Sequence, residues 1–309
     1  MSTKVLVVIH VFYPQLWKQL KQCLFNLDKL NKEYDLYITI PDNLRYFAKY
    51  IYDFKDDAKI IVSENVGYDI WPFIRVLNNI DLDEYDYVIK LHTKRSKGFD
   101  VGSVQNKYYF MGNTWRNLLI SFIKNERNLE RSFLAFEKDP FLGMVNNGKI
   151  IEKHEISVKE EHFSFCAKKA IDLTNKILNY NSNCIEFIAG SMFMCRASLL
   201  KPLQSMNFSV NDFSIANRNK ENDLAHVLER VFGGLVSAQG YKIADPFSSF
   251  MDNALFYPYS QLCRFLSIRI VRKIIRFIFR IDGNYGEDKI VRIFKITVLK
   301  LKKKDNNLR

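Results

Sequence analysis

Ala58-Lys-Ile-Ile-Val-Ser-Glu-Asn-Val-Gly-Tyr-Asp-Ile-Trp-Pro-Phe-Ile-Arg-Val-Leu-Asn-Asn-Ile-Asp-Leu-Asp-Glu-Tyr-Asp-Tyr-Val-Ile-Lys-Leu-His-Thr-Lys-Arg95 decides the fold. Two β-branched runs, Lys59 to Val62 and Tyr87 to Leu91, bracket a segment in which Ile70, Phe73, Ile74 and Leu77 recur at helical spacing. The pattern is strand, turn, helix, strand, a βαβ unit. Polar residues follow both strands, Ser63 to Asp69 and His92 to Ser96. In open parallel sheets, ligands bind beyond the carboxyl ends of the strands, so both clusters are expected to face one crevice.

The flanks extend the same pattern. Val5 to Val11 is a nearly continuous apolar run of the kind a central parallel strand needs, and Pro14 opens a helical pattern through Leu16, Leu20, Leu24 and Leu27. Asp35 to Ile40 predicts a second strand, followed by a helix with Phe47, Tyr50 and Ile51. Three strand-helix steps in the first ninety or so residues predict a nucleotide-binding α/β half-domain. Beyond Arg95, Ser96 to Gln105 reads as a loop able to close over a crevice, and an amphipathic helix is predicted over 114–136. A strand at Pro140 to Val145 and a mostly helical stretch over 153–180 come next. Ile185 to Arg196 predicts a strand broken at Gly190-Ser191, Glu221 to Leu235 a helix carrying Asp223, His226, Glu229 and Arg230, and Gly240 to Ala244 a last strand.

Composition narrows the possible functions. The chain has 309 residues, 48% of them hydrophobic, enough for a sizeable core. Its five cysteines are odd in number and lack a CxxC pair, so neither a disulfide framework nor a zinc site is indicated, and a reducing cytoplasm fits best. Lys4 to Ile9 is too short for a signal-peptide core, and no charge-free apolar run approaches the roughly 18 residues of a membrane span. Net charge is +12, but residues 264–309 hold 14 Lys and Arg against 4 Asp and Glu, which leaves only +2 for residues 1–263. The basic character therefore belongs to the C-terminus, and the composition shift near residue 254 predicts a domain boundary there, with an α/β domain over 1–253 and a basic segment over 254–309. Within it, Arg269, Arg272, Lys273, Arg276 and Arg280 recur at helical spacing among isoleucines and phenylalanines, and a second such run spans Ile290 to Lys304. Basic amphipathic helices with bulky apolar faces lie in the surface of anionic membranes. A helix docked on the first domain is the alternative. Nucleic acid is disfavoured as a partner, because arginine alternates with Ile and Phe and no nucleic-acid module is present.

Ile9-His-Val-Phe-Tyr13, Asn65-Val-Gly-Tyr-Asp-Ile-Trp-Pro-Phe73, Lys90-Leu-His-Thr-Lys94, Ala189-Gly-Ser-Met-Phe193 and Leu224-Ala-His-Val-Leu-Glu-Arg230 together resemble the rhamnan synthesis protein F family, bacterial glycosyltransferases that build rhamnose-containing surface polysaccharides. The resemblance spans about residues 5 to 250. It implies a GT-A-like, Rossmann-related α/β fold with a mostly parallel sheet, a nucleotide-sugar donor such as dTDP-rhamnose, and inverting transfer onto a lipid-linked glycan at the cytoplasmic face of the inner membrane. A non-catalytic nucleotide- or sugar-binding subunit of a polysaccharide assembly complex is the alternative.

The broader GT-A group carries two metal-binding aspartates after its fourth strand, where this chain has His92-Thr93-Lys94. A divalent magnesium or manganese ion is then either unnecessary or bound differently, and Lys90, His92, Lys94 and Arg95 are expected to meet the leaving diphosphate. Strand alternation sends Lys90, His92 and Lys94 to one face, where they repel unless an anion lies among them. A solvated edge strand is the bland alternative. By resemblance Asn65, Gly67 and Asp69 contact the nucleoside, against an ordinary turn in which Asp69 caps the following helix. Ala189, Gly190 and Ser191 resemble the acceptor-lining segment. Inversion needs a general base, for which Glu221, Asp223 and Glu229 are the candidates, Asp223 first and Glu229 second, with His226 on the same helical face; Glu221 lies outside the residues described below. Pairing of Glu229 with a nearby cation is the alternative there. His10, Trp71 and Trp115 read as packing residues.

Overall fold

The computed structural model describes residues 3–95, 101–104, 107–155, 165–213, 223–268, 271, 277–282, 289–293 and 296–301. The chain divides into two compact units, Met1–Ser96 with Asn113–Asp252, and Lys97–Gly112 with Asn253–Arg309. Composition alone put residues 97–112 with the first unit. They cluster with the second, an association between distant parts of the chain that no local pattern reports.

The first unit is built on a seven-stranded sheet. Its strands are β1 (Lys4–His10), β2 (Glu33–Pro41), β3 (Lys59–Ser63), β4 (Tyr87–His92), β7 (Leu142–Val145), β10 (Phe193–Arg196) and β11 (Lys242–Ala244), in the order β11-β7-β10-β4-β1-β2-β3. β1 pairs in parallel with both β2 and β4, β2 with β3, and β7 with β11, while β10 runs antiparallel to its neighbours β4 and β7. The mostly parallel α/β sheet is as expected. β1 and β4 are buried along nearly their whole length, which is why they read as unbroken apolar runs. The chain leaves β1 in one direction toward β2 and β3, then returns to β1's other side with β4. That reversal opens a crevice beyond His10 and His92, which are register partners.

The helices of this unit are α1 (Trp17–Lys29), α2 (Ala48–Tyr52), α3 (Ile70–Leu77), α4 (Thr114–Leu119), α5 (Glu126–Lys138), α6 (Phe165–Leu178), α7 (Lys201–Gln204) and α8 (Leu224–Ala238). The single helix predicted over 114–136 is two, because Asn125 accepts from the Asn128 N–H at 2.8 Å and starts α5 afresh. The stretch 153–180 begins as a strand, β8 (Ile151–Glu155), which pairs antiparallel with β9 (Cys184–Ile188) in a separate two-stranded sheet; residues 156–164 lie outside the described residues. The predicted strand over 185–196 therefore splits at Gly190-Ser191 between two sheets.

α8 packs directly on β9. A Cβ on Gly233 would stand 2.3 Å from the Glu186 carbonyl oxygen and 2.4 Å from Phe187 Cα, both backbone atoms. Gly233→Ala is therefore expected to destabilise the protein by about 1–3 kcal/mol or more in urea unfolding, whereas an alanine in an open helix site would stabilise it.

The second unit contains the hairpin β5 (Gly102–Val104) and β6 (Tyr108–Phe110), helix α9 (Phe250–Ser267), and a three-stranded antiparallel sheet of β12 (Phe279–Asp282), β13 (Lys289–Ile293) and β14 (Ile296–Leu301). The loop expected over 96–105 thus contains a strand. The second basic run, predicted helical over 290–304, is a correction of kind. Ile290, Val291, Ile293, Ile296, Thr297 and Val298 are β-branched, and they pair as strands. Of the first run, residues 269–270 and 272–276 lie outside the described residues, and Phe279 and Arg280 belong to β12. No described helix is long and apolar enough to cross a membrane.

Candidate functional site

The crevice beyond β1 and β4 is lined by two tight turns. Both begin with a glycine and continue with a non-glycine residue in the left-handed region: Gly67 (φ +60°) and Tyr68 (φ +55°) before α3, and Gly190 (φ +88°) and Ser191 (φ +52°) between β9 and β10. Left-handed backbone in tyrosine and serine is unfavourable and persists only where surroundings hold it. Gly190 has a second reason to be glycine, since a Cβ there would lie 2.5 Å from Leu119 Cδ2 and 2.9 Å from Trp115 Cζ2.

Lys90 holds the two turns together. It is 1% exposed, and its ammonium donates to Asp69 Oδ2, to the Ser191 carbonyl at 2.9 Å and to Ser191 Oγ at 3.2 Å. Ser191 Oγ in turn donates to Asp69 Oδ2 at 2.6 Å. The aromatic rings of Phe73 and Phe232 close over the ammonium at 5.3 and 6.0 Å. An ammonium has three protons, and three acceptors take them. The anion required among Lys90, His92 and Lys94 is thus the protein's own Asp69. Neither a solvated edge strand nor a simple helix cap survives this geometry: β4 is buried, and the Asp69 side chain, although at the N-cap position of α3, makes no capping bond.

His92 occupies the next inward-facing position. Its Nδ1 lies 3.3 Å from Asp69 Oδ2, but not in hydrogen-bond geometry, and among the described residues both ring nitrogens are buried without a partner. His10, beside it on β1, shares a 3.0 Å hydrogen bond with Thr39 Oγ1. Burial lowers the pKa of both imidazoles, His10 to about 4 from 6.5, against the pull of Asp69. Burial also works against the Asp69 carboxylate, yet the neighbouring His92, Lys90 and Lys94 outweigh it and hold the carboxyl well below its usual range. Burial lowers Lys90 itself, opposed by Asp69 and Glu229. Thr93, on the opposite face of the strand, accepts from the Phe12 and Tyr13 N–H groups at 2.9 Å each and fixes the chain leaving β1.

A histidine whose folded pKa is depressed is uncharged in the native state while the unfolded chain still binds a proton. Stability is therefore complete above pH 6.5 and falls as pH drops toward 4. For His10 alone the loss is about 3 kcal/mol by the folded-unfolded pKa difference. Urea unfolding across that window checks it, and His10→Asn, which keeps a polar atom near Thr39, is expected to flatten the slope. A native stability independent of pH there excludes the buried neutral imidazole.

Helix α8 forms the other wall. Asp223 is its N-cap, with Oδ1 accepting from the Ala225 N–H at 3.1 Å. Its Oδ2 is buried without a hydrogen-bond partner among the described residues and stands 3.7 Å from His226 Nδ1, itself unpartnered there. The His226 ring packs edge-on against Tyr68 at 5.4 Å. One turn on, Glu229 Oε1 accepts from the Gly190 N–H at 2.5 Å, and Oε2 lies 3.9 Å from Arg230 Nη1.

The residues selected from the sequence as donor-side and acceptor-side thus form one cluster: Gly67, Asp69, Lys90, His92, Ser191, Gly190 and Glu229, with His226 and Asp223 joined to it through Tyr68. Lys94 is half-buried near it, its charge felt at Asp69, and its carbonyl accepts from Arg116 at 3.2 Å. Ala189 is buried, its N–H donating to the Ile150 carbonyl at 2.8 Å, while Asn65 and Arg95 are exposed. Trp71 is a packing residue as expected, its indole N–H held by Glu64 at 3.0 Å. Sequence reasoning missed Tyr68 and the bridging role of Ser191; the Gly-x pairs preceding Asp69 and Met192 were the available signal.

A divalent cation held by carboxylates does not fit this donor set. The carboxylate beside His92 is Asp69, its Oδ2 already taken by Lys90 and Ser191. No group of three His, Cys, Asp or Glu side chains able to hold a metal ion occurs among the described residues.

Two proteins named WxcX and described as uncharacterised, from two strains of Xanthomonas campestris pv. campestris, are 28% identical over 190 residues, covering 60% of this chain and 25% of each relative. The chain thus matches about a quarter of the length of those relatives. Among solved structures, 4-diphosphocytidyl-2C-methyl-D-erythritol synthase from Anaerococcus prevotii aligns with 84% of this chain and 99% of its own at 11% identity and a TM-score of 0.36. The family described as rhamnan synthesis protein F matches residues 1–241, all of the seven-stranded sheet except β11, which starts at the next residue, and the chain belongs to that family.

Proposed function

We propose that the chain is a glycosyltransferase of polysaccharide synthesis, transferring a sugar from a nucleotide donor, with inversion, onto a lipid-linked glycan. The observation that carries this reading is His92, at the carboxyl end of β4, whose buried ring nitrogens have no hydrogen-bond partner among the described residues, beside the charge of Lys94. A buried polar group without a partner costs stability unless a ligand supplies one. A diphosphate brings the acceptors that a histidine N–H and a lysine ammonium satisfy. Family membership and the reversal of strand order at β1 support a GT-A-type assignment and a nucleotide sugar, with rhamnose from a dTDP donor as the leading case.

In this mechanism the acceptor hydroxyl attacks the anomeric carbon, the bond from that carbon to the diphosphate oxygen breaks, and the nucleoside diphosphate departs with the negative charge. His92 and Lys94 stabilise that charge. The hydroxyl proton passes to Nε2 of His226, while Asp223, behind Nδ1, orients the ring and stabilises the imidazolium. Asp223 is therefore a positioning residue, since one of its buried side-chain oxygens caps the helix and the other faces His226 Nδ1 at 3.7 Å. Glu229 is assigned to the Gly190 N–H and Lys90 to the two turns; neither is free for substrate.

The net charge of +10 over residues 264–309 supports attachment to an anionic membrane surface, the cytoplasmic face of the inner membrane being where a lipid-linked acceptor meets a cytoplasmic donor. The test is turnover by the purified protein of a panel of nucleotide sugars with a lipid-linked acceptor, in EDTA and with added magnesium or manganese. Consumption of one donor in EDTA is expected. Binding of a donor without turnover under every condition transfers the reading to a non-catalytic binding subunit.

A further inference from the structure

Helix α9 has two apolar faces, and folding uses only one. On the inner face Ser260 and Cys263 are buried, Ser260 Oγ accepts from the Tyr109 N–H at 2.8 Å, the Tyr259 hydroxyl accepts from the Met111 N–H at 3.1 Å, and Phe256 meets Tyr108 at 6.1 Å. These contacts seat the helix on β6 and the residue after it. On the outer face Leu255, Leu262 and Phe265 are 71%, 56% and 56% exposed, and Pro258 between them is exposed as well. At 100° per residue these four positions fall within a sector of about 80°, and they run along about 15 Å of helix. A contiguous outward stripe of large apolar side chains marks a surface that something else covers.

We infer that this stripe is the part of the protein that enters the surface of an anionic lipid bilayer, the helix lying in the membrane plane. The inference rests on the membrane reading given above and names a different element from the basic runs read from sequence. Charge decides the occupant. The stripe ends at Phe265, where the chain enters the segment 264–309 whose net charge is +10, and an anionic lipid surface is the occupant that this charge attracts. A second copy of the chain placed on the same stripe would bring two such segments together and repel. Among the described residues no helix crosses a bilayer, and this one is suited to lie on it.

The experiment is co-sedimentation of the full chain with phosphatidylcholine vesicles, with and without phosphatidylglycerol, at low and high salt. It compares wild type with the triple variant Leu255→Gln, Leu262→Gln and Phe265→Gln, which changes no charge and leaves the inner face intact. Expected is binding of wild type to the phosphatidylglycerol vesicles and a fall of at least roughly tenfold in the variant at unchanged thermal stability. If the variant binds as wild type does and high salt releases both, the basic segment alone holds the membrane and the stripe proposal is overturned. Absence of wild-type binding to either vesicle overturns the membrane reading with it. A wild-type dimer in light scattering that the triple variant dissociates assigns the stripe to a second copy instead.

Discussion

Lys90→Met is expected to cost the fold about 3–5 kcal/mol, the usual penalty for stranding one member of a buried ion pair. The magnitude follows from what remains. Asp69 Oδ2 would keep only Ser191 Oγ, the Ser191 carbonyl would lose its donor, and a buried carboxylate would lose the ammonium it is bonded to. Both left-handed residues, Tyr68 and Ser191, are tied to this ammonium through Asp69 and directly, so the crevice would lose its shape along with the stability. Lys90→Arg is not expected to rescue: the planar guanidinium cannot place its donors on the same three acceptors between the two rings. The double variant Lys90→Met with Asp69→Leu should recover part of the loss, because the pair is removed rather than broken. The pH dependence has a definite sign. A carboxyl held below its usual range contributes stability that is present above the unfolded carboxylate pKa and is lost as pH falls through the folded one. The loss that begins near pH 6.5 therefore belongs to the histidines and persists in Asp69→Asn. Denaturant unfolding of the four variants decides the matter, and a Lys90→Met penalty under about 1 kcal/mol means the ammonium is not buried as described.

His226→Gln is expected to lower kcat for sugar transfer by about 10²–10⁴-fold, the range for loss of a positioned proton acceptor. Asp223→Asn separates catalysis from folding. Asparagine caps a helix as well as aspartate does, so stability should hold, while the carboxylate that faces His226 Nδ1 at 3.7 Å is gone. Its kcat should fall by about 10²-fold or more with KM little changed, because the imidazolium formed in the reaction has lost its stabilising charge. A structural role alone shows instead as lost stability. Glu229→Gln supplies the contrast: if Glu229 only holds the Gly190 N–H, the amide carbonyl can do the same and most activity remains. Should Glu229→Gln abolish turnover while His226→Gln does not, the base is Glu229 and the dyad assignment is wrong.

What sequence determined here lies along the chain. The apolar runs of β1 and β4 and the helical spacing of Ile70, Phe73, Ile74 and Leu77 gave the α/β sheet, because burial on both faces or on one stripe leaves a local periodic trace. The family was legible for the same reason, in short motifs around the turns. Periodicity was a poorer guide to the basic C-terminus, where a three-stranded sheet stands in place of a second helix and the β-branched residues carried the better signal. Tertiary structure alone decided how charges are used. Residues 69, 90 and 191 lie far apart in sequence, and nothing local shows that Asp69 would satisfy Lys90, that Ser191 would join them, or that Glu229 would bond Gly190. The same holds for α9, where a helical repeat reports that apolar residues share a face and folding decides which face is covered. A side chain's protons and lone pairs are assigned by whatever the fold brings within 3 Å or so, and that distance is set across the sheet rather than along the chain.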